Sequence, residues 1–514
     1  MEENNMEEPR PRLSNTQQLL AMVERLMDTR QIELWHDQDS RAFATVKTGT
    51  HEENLPVMSS VFEFRLREIF YAYRHGIVPE KSLKEVVDFL AGLAILEGEK
   101  FSSPYRVHRD GESVYIDLGD ADWQYVEVNS SKWTLRTGKG PKFWRSEDTK
   151  ALPVPVSGGD LKLLSRYLNI NSDEQFTLIL AWIIQTMIPD EPYPILPISG
   201  EQGSAKSTVA RILVSLTDPK KAPLRSLPRS EKDLLIQAKA SQVLAFDNIS
   251  YLKPDMSDAL CRLSTGAGLS TRALYTNDAQ IVFEARRPVI LTGITDIVTR
   301  GDLLDRSVPV DLKAIPENKR RLESDLVTQF EEDKPYIFGS LLDLLSDTLK
   351  IRKDISLTGY PRMADFARTG EAVSRVLGRK HNSFVQSIKS IKSASSELIV
   401  ESSSVGVLIR SLMGEGNDWV GRASDLLSWL NNKCDADVMK RKDWPKDATR
   451  LSSALKRLAP SLRAEGIEIN FDMPSRRLIT ITSVQDSSVN SDTASSQLAL
   501  DVADDAHDTD FEHI

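Results

Sequence analysis

The sequence predicts an α/β fold with a phosphate-binding loop at its centre and smaller domains on both sides. Two observations lead to this prediction. Residues 200–208 read Gly-Glu-Gln-Gly-Ser-Ala-Lys-Ser-Thr. A β-type apolar run ends at Ile198, just before this segment, and a helical run from 208 to 216 follows it. Strand, loop and helix is the order that a phosphate-binding loop requires.

The residue types of this segment, named here the glycine–lysine loop (residues 200–208), suit a nucleoside triphosphate with Mg²⁺. Gly200 and Gly203 let backbone N–H groups turn inward around an anion. Lys206 places a charge at the outer phosphates, and the Ser207 hydroxyl can bind Mg²⁺. The usual pattern has glycine where Ala205 stands, which costs little if φ is negative there. The remaining predicted ATP-binding positions are Glu201, Gln202, Ser204 and Thr208.

A second metal ligand is predicted at the end of the apolar strand Gln-Val-Leu-Ala-Phe-Asp, which closes on Asp247. Asp247 would hold Mg²⁺ together with Ser207. Asn248 follows, where many ATPases carry a glutamate that activates water. An amide can orient water but cannot accept its proton. The base therefore stays open between Asp247, another acid such as Asp255 or Glu284, and no dedicated base.

Three further residues are candidates for catalysis. Thr292 ends the apolar strand Arg-Pro-Val-Ile-Leu-Thr, where it would position water or sense the γ-phosphate. Arg306 is the first candidate for an arginine that reaches a neighbouring subunit's ATP, and Arg300 is the second. Such an arginine can raise the rate by about 10³–10⁵. Local ion pairing with Asp302 and Asp305 is the alternative role.

Residues 268–283 predict a β-hairpin, because two alternating stretches flank Thr-Asn-Asp. Arg272 lies on its shoulder and Tyr275 lies nearer the turn, and both are candidate DNA contacts.

Composition and charge predict the domain order. Residues 1–15 and the acidic tail, 484–514, are expected to be disordered. Between 483 and 514 there are eight Asp and Glu and no Lys or Arg, so the rest of the chain is nearly neutral, with 65 basic and 67 acidic residues. A mixed α/β domain is predicted for 16–152, with paired strands at 32–46, helices at 60–75 and 81–94, and a strand meander at 105–135. Residues 153–159 form a linker, 160–316 the ATPase core and 317–412 a helical region.

The expected setting is the cytoplasm. The N-terminus is acidic and polar, unlike a secretory signal. No apolar run approaches the roughly 20 residues of a membrane helix. The two cysteines, Cys261 and Cys434, have neither metal-site nor redox spacing.

A winged-helix DNA-binding domain is predicted for 418–483. A helix with Ser424 as its N-cap, a second helix over 448–463 and a two-strand wing at 467–481 give the order helix, helix, hairpin. Basic residues concentrate on the second helix and at the wing tip, which favours phosphate contacts over a protein-docking role. The candidate DNA contacts are Lys446, Arg450, Lys456, Arg457, Arg476 and Arg477.

The segments GEQGSAKST, LAFDNIS and RPVILTGITDIVTRGDLLDR together resemble the ATPases of phages, plasmids and genomic islands. These are similar to superfamily-three helicases and to the helicase half of phage primase-helicases, within the AAA+ class. The resemblance covers roughly 160–480. It implies a P-loop AAA+ core with a helical lid, hexameric rings, an arginine acting between subunits, and a pore hairpin that grips single-stranded DNA. Asn248 and the absence of Lys or His at the hairpin tip depart from the family's pattern.

The first functional interpretation is a ring-forming, DNA-translocating ATPase that acts as the replicative helicase of a mobile element. Its partners would be copies of itself, single-stranded DNA and a separate primase. The second is an ATP-dependent assembly switch that recruits effector proteins in phage defence or transposition. The third is a DNA-binding initiator or regulator that uses the ATPase core as a scaffold. Residues 16–152 could serve as a collar, an oligomerisation domain or a docking domain.

Overall fold

The computed structural model describes residues 13–266, 269–272, 280–283, 286–294, 297–298, 300–357, 361–414, 418–441, 443–471 and 478–483. The acidic tail and most of the N-terminal segment that was predicted to be disordered lie outside these ranges. The chain divides into two compact units, one drawn from Met1–Val298 and Asp305–Ile388, the other from Thr299–Leu304 and Lys389–Ile514. The first unit contains both the region 16–152 and most of the predicted ATPase core.

The N-terminal part of the first unit is a four-stranded sheet covered by three helices. Its strands are β1 (Ile32–His36), β2 (Ala42–Thr48), β3 (His51–Pro56) and β4 (Glu99–Lys100), in the order β3-β2-β1-β4. The helices are α1 (Asn15–Asp28), α2 (Ser60–Arg74) and α3 (Glu80–Leu96). The side chains of Leu19, Phe62 and Leu90 meet in its core, each 0 % exposed. The predicted strand pair is confirmed, with Ile32 opposite Val46.

A second sheet follows as an antiparallel meander. Its strands are β5 (Val107–Asp110), β6 (Ser113–Asp117), β7 (Tyr125–Val128) and β8 (Trp133–Arg136), in sequential order. The alternation of apolar and polar residues along 105–135 predicted this arrangement, and the register confirms it.

A parallel sheet forms the centre of the first unit. Strands β9 (Ile195–Gly200), β10 (Leu244–Phe246), β13 (Val289–Thr292) and β14 (Val310–Leu312) lie in the order β10-β13-β9-β14. Every residue of β10 and β13 is buried, as continuous apolar runs in parallel sheets require. Helices α4 (Lys162–Ser165) and α5 (Asp173–Thr186) precede β9 in the chain. Helices α6 (Lys206–Thr217) and α7 (Glu231–Lys239) come between β9 and β10, α8 (Pro254–Thr265) between β10 and β13, and α9 (Gly301–Asp305) between β13 and β14.

The predicted hairpin is present in the backbone. Strands β11 (Leu269–Arg272) and β12 (Gln280–Phe283) pair antiparallel, with Leu269 opposite Phe283. Its tip, including Tyr275, lies outside the described residues.

Long helices follow the parallel sheet. After a 3₁₀ turn at Glu317–Lys319 come α10 (Glu323–Arg352), α11 (Ala364–Val376), α12 (Ser383–Glu401) and α13 (Ser404–Gly414). Helix α12 runs across the boundary between the two units. No helix in the described ranges combines the length and the apolar character needed to span a bilayer.

The predicted linker, residues 153–159, lies directly against α10. The Val156 N–H donates to the Pro335 carbonyl, 3.1 Å away. A Cβ atom on Gly159 would overlap the Tyr336 carbonyl, and one on Gly339 would overlap the Val156 carbonyl. The two backbones therefore cross so closely that each needs glycine at the contact.

The second unit contains a three-stranded antiparallel sheet. Strands β15 (Trp419–Arg422), β16 (Ile467–Phe471) and β17 (Leu478–Ser483) lie in the order β15-β17-β16, beside helices α14 (Ala423–Lys433), α15 (Ala436–Met439) and α16 (Ala448–Ala464). A helix was predicted to start near 418 with Ser424 as its N-cap, and this predicted start is wrong. Residues 419–422 alternate in burial and pair with β17, and α14 begins at Ala423, where Asp425 accepts the Arg422 N–H at 3.2 Å.

Candidate nucleotide-binding site

The glycine–lysine loop joins the end of β9 to the start of α6. Gly200 has φ 144° and Gly203 has φ 82°, both in the region that favours glycine. A Cβ on Gly200 would overlap the Leu312 carbonyl of the neighbouring β14, so the two strands approach here only because the residue is glycine. The twelve-residue helix α6 then points its N-terminus at the loop, which places a positive dipole end there.

Ala205 does not have the negative φ at which alanine would cost little in place of glycine. Its φ is 63°, in the left-handed region, and it occupies the N-cap position of α6. The low cost was predicted only for a negative φ, so that prediction is wrong for this residue. The turn into α6 requires a left-handed residue, and the Cβ of alanine makes this conformation less favourable by about 1–2 kcal/mol than it is for glycine.

Lys206 folds back over the loop that precedes it. Its Nζ donates to the carbonyls of Gly200 and Glu201, both at 2.7 Å, and to the Ser204 hydroxyl at 3.2 Å. Burial lowers the pKa of Lys206, and the nearby carboxylates of Asp247 and Asp311 oppose that shift. Lys206 forms no ion pair with a described residue, so its charge is available to an anion seated in the loop.

Three side chains and one backbone N–H meet beside α6, at the carboxyl ends of β10 and β13. The Ser207 hydroxyl donates to Asp247 Oδ1 at 2.9 Å. The Thr292 hydroxyl also donates to Asp247 Oδ1, and the Asn248 N–H donates to Thr292 Oγ1 at 3.1 Å. A carboxylate flanked by two hydroxyls is an oxygen-rich group of the kind that Mg²⁺ prefers. The residues therefore fit a magnesium ion held between Ser207 and Asp247.

Asn248 has a backbone conformation that helps to explain its identity. Its φ is 57°, in the left-handed region, where asparagine is several-fold enriched among non-glycine residues. The position after Asp247 therefore favours asparagine on conformational grounds. Among the alternative bases, Asp255 is exposed in the first turn of α8, and Glu284 lies outside the described residues.

A segment that the sequence analysis did not single out holds the loop from the other side. The Ile315 N–H donates to the Gly203 carbonyl at 3.2 Å. Asn169 Nδ2 donates both to the Ser204 carbonyl at 3.0 Å and to the Lys313 carbonyl at 2.7 Å. The Arg320 guanidinium lies 3.5 Å from the position that a Cβ on Gly203 would take. No local pattern marks Asn169 or Arg320, because each reaches the loop from a distant part of the chain.

Arg306 lies beside the amino-terminal end of β9, whereas the loop of the same chain follows the carboxyl-terminal end of that strand. Its carbonyl accepts the N–H of Ile195, the first residue of β9, whereas Gly200 is the last. Five residue steps along a strand span about 16 Å. Arg306 is therefore remote from the loop of the same chain. The carbonyl of Arg300, the second candidate, accepts the N–H groups of Leu303 and Leu304 at the start of α9.

The structure describes the side chains of four of the candidate DNA contacts. Lys446, Arg450, Lys456 and Arg457 are all exposed, the last three on the face of α16 opposite its buried leucines. The Arg450 guanidinium lies 3.4 Å from Asp447, and the Lys456 ammonium lies 5.4 Å from the centre of the Phe471 ring. For Arg272 the structure gives the backbone in β11, and Tyr275, Arg476 and Arg477 lie outside the described residues.

Two protein-family models match the chain. Residues 161–384 match the "Actinomycete integrative conjugative element replication protein" family. Residues 405–496 match the "AICE RepA C-terminal domain". The chain thus resembles the replication protein RepA of these mobile elements over both matched segments. No curated protein matches the chain.

Solved structures give weak likenesses. The apo C-terminal region of NrS-1 matches at 11 % identity and a TM-score of 0.39, covering 93 % of this chain and 100 % of that one. A JCV helicase with a bound small molecule matches at 14 % identity and a TM-score of 0.22, covering 43 % of this chain and 66 % of that one. Neither likeness is close enough to carry a conclusion about this chain.

Proposed function

We propose that this chain, which resembles the replication proteins of actinomycete integrative conjugative elements, is a ring-forming ATPase that translocates along DNA as a replicative helicase. The observation that carries the proposal is the meeting of Ser207, Asp247 and Thr292 beside the loop that contains Lys206. These groups come from α6 and from the ends of two neighbouring strands. They supply the phosphate, metal and water-positioning functions that ATP hydrolysis requires.

Each residue has a definite role in this proposal. The backbone N–H groups of residues 200–208 surround the phosphates. Lys206 releases the carbonyls of its own loop and binds the outer phosphates. Ser207 and Asp247 hold Mg²⁺, which neutralises phosphate charge when bound. Thr292 and Asn248 orient the attacking water through hydrogen bonds. Neither acts as the base, because a hydroxyl or an amide cannot accept the proton of water.

Arg306 would act on the ATP of a neighbouring subunit. Its backbone lies about one strand length from its own loop, so a contribution within the same chain is excluded by distance. A head-to-tail arrangement of subunits would bring this edge of one sheet to the loop of the next. A hexameric ring in the AAA+ manner satisfies this requirement, with single-stranded DNA in the pore near the β11–β12 hairpin.

The second unit would supply DNA affinity. Its order of elements, a helix, the exposed basic helix α16 and a β16–β17 hairpin, is consistent with a winged-helix domain.

Asn248 favours a second candidate function. Without an acid at this position the protein could bind ATP tightly and hydrolyse it slowly. ATP would then drive ring assembly, and the ring would recruit effector proteins.

ATP turnover with and without single-stranded DNA separates these functions. The motor predicts turnover that DNA stimulates and that both Lys206→Ala and Arg306→Ala abolish, while Arg300→Ala retains most of it. The reverse result for the two arginines would move the intersubunit role to Arg300. Nucleotide-dependent assembly without turnover would favour the switch, and DNA binding that is indifferent to nucleotide would favour a regulator.

A further inference from the structure

A buried carboxylate in the first unit connects the N-terminal region to the strand that carries Asp247. Asp218, which follows α6, is 0 % exposed. Its Oδ1 accepts Arg106 Nε at 3.1 Å. Its Oδ2 accepts the N–H groups of Gln242 at 2.7 Å and Val243 at 3.2 Å, just before β10 begins. One side chain thus fixes the end of α6, the start of β10 and a residue of the N-terminal region.

Each nitrogen of the Arg106 guanidinium donates a hydrogen bond, and one of these bonds is the contact with Asp218. Arg106 is 1 % exposed, and its Nη1 and Nη2 donate to the carbonyls of Asp117 and Lys150, both at 3.1 Å. Its φ of 66° and the close approach of Gly119 seat the guanidinium between the two parts of the unit. Buried charges are retained only when they are paired and hydrogen-bonded, as they are here.

A second connection reaches Asp247 itself. Asp148 Oδ2 accepts Arg225 Nη2 at 2.5 Å, and Asp148 Oδ1 accepts Lys220 Nζ at 3.3 Å. The Arg225 backbone runs beside β10, with its N–H donating to the Ala245 carbonyl at 3.0 Å. Its carbonyl accepts the N–H of Asp247 at 2.9 Å. The backbone of Asp247, the proposed metal ligand, is therefore hydrogen-bonded to Arg225, and the Arg225 side chain is bound by Asp148 of the N-terminal region.

We infer that Asp148 is a positioning residue for Asp247, acting through Arg225, and that the region 16–152 completes the ATPase site. This inference rests on the proposed function for its catalytic meaning. The physical reason is that Asp247 must stay within hydrogen-bond reach of Ser207 and of the metal. Partners that orient a metal ligand typically contribute about 10–100-fold to metal affinity or activity.

The test compares Asp148→Asn with Glu147→Gln in the full chain. Both changes remove one negative charge, but Glu147 is exposed, and among the described residues its side chain accepts a hydrogen bond only from the Ser60 hydroxyl. Two quantities are measured: the affinity for a fluorescent ATP analogue in EDTA, and the Mg²⁺ concentration that gives half-maximal turnover. We expect Asp148→Asn to raise the Mg²⁺ requirement about 10–100-fold while the affinity in EDTA changes little. Asp148→Glu should recover part of the loss, and Glu147→Gln should match the wild type.

Hydrogen exchange provides a readout that needs no nucleotide. Asp148→Asn should speed exchange in peptides covering 225 and 244–247 and leave the sheet β1–β3 unchanged. Unchanged exchange in those peptides, or an unchanged Mg²⁺ requirement in a folded variant, would overturn the inference. Arg225→Lys, which keeps the charge, should show smaller changes in the same direction and replaces Asp148→Asn if that variant does not fold. A wild-type protein that binds no ATP would refute the proposed function alone, because exchange still reports whether Asp148 holds this strand.

Discussion

At the scale of single residues, Ala205 carries a stability cost that glycine would remove. Because its φ is 63°, replacing it with glycine should raise the free energy of unfolding by about 1 kcal/mol. Denaturant unfolding without nucleotide measures the change. Ala210→Gly is the matched control, since Ala210 is buried inside α6 and the same substitution there should destabilise by about 1 kcal/mol or more. Destabilisation by Ala205→Gly as well would show that the turn does not strain the alanine.

If Lys206 binds the phosphates as proposed, ATP binding should be sensitive to alkaline pH. Burial lowers its pKa, so the charge that we assign to phosphate binding is present below that lowered value and is lost as pH rises through it. ATP affinity should therefore fall as pH rises through the alkaline range below about 10.4, where a free lysine still holds its proton. Titration of a fluorescent analogue measures it. Lys206→Ala should bind more weakly with an affinity that is flat over this range, and an equal slope in both proteins would contradict the assignment.

Some of the candidate site could be predicted because its signals are local in sequence. The loop at 200–208 and the strand ending in Asp247 are short patterns whose order fixes where they meet. Asn169 and Arg320 could not be found in this way, since a single polar side chain with a distant partner leaves no pattern. The left-handed φ of Asn248 could not be predicted from the sequence either, although it explains why asparagine occupies this position better than the chemistry of the amide does.

At the scale of elements, α16 has an exposed basic face to which we assign the proposed DNA contacts. Its buried side carries Leu451, Leu455 and Leu462, and Arg450 and Arg457 project from the exposed side. Arg450→Ala combined with Arg457→Ala should weaken DNA binding at all sequences. If each arginine contacts one phosphate, the slope of log affinity against log salt should fall by about two. Binding to labelled duplex over a salt series measures this slope.

The control for this experiment removes the same charge elsewhere. Lys81 and Lys84 are exposed on α3 of the first unit. Their double alanine variant should bind DNA like the wild type. Equal losses in both double variants would indicate that net charge, and not α16, governs binding.

Most elements follow from periodicity, and the exception has a physical cause. The α16 helix and the two strands of the β16–β17 hairpin have clear patterns and were predicted. Strand β15 was missed because four residues with one glycine give too little alternation to distinguish a strand from a helix start. It exists because β17 offers a free edge for pairing.

At the scale of the whole molecule, the position of Arg306 predicts that active sites form between subunits. Lys206→Ala and Arg306→Ala proteins should each be inactive alone and should recover activity when mixed. With random mixing in a ring, about a quarter of the interfaces would join an intact loop to an intact arginine. Turnover across a series of mixing ratios measures the recovery, with Lys206→Ala/Arg306→Ala double-mutant protein as the partner that cannot restore it. Absence of recovery in assembled mixtures would place Arg306 outside the site.

The joining of the N-terminal region to the ATPase core was not predictable from composition. Residues 153–159 have the proline and glycine content of a flexible linker, and this suggested an independent domain. One of the contacts that join the two parts, between Arg106 and Asp218, connects residues 112 positions apart. A lone arginine and a lone aspartate at that separation carry no sequence signal, so the pairing emerges only in the folded chain.

The crossing of residues 156–159 over α10 constrains how such proteins can exchange parts. Gly159 and Gly339 lie in different regions of the gene, yet a side chain at either one meets a carbonyl of the other segment. A recombinant that takes its front half from one parent and its long helix from another keeps this crossing only if the first parent has glycine at 159 and the second has glycine at 339. Engineered hybrids should therefore take the two segments from one parent and should be spliced outside the interval that contains them.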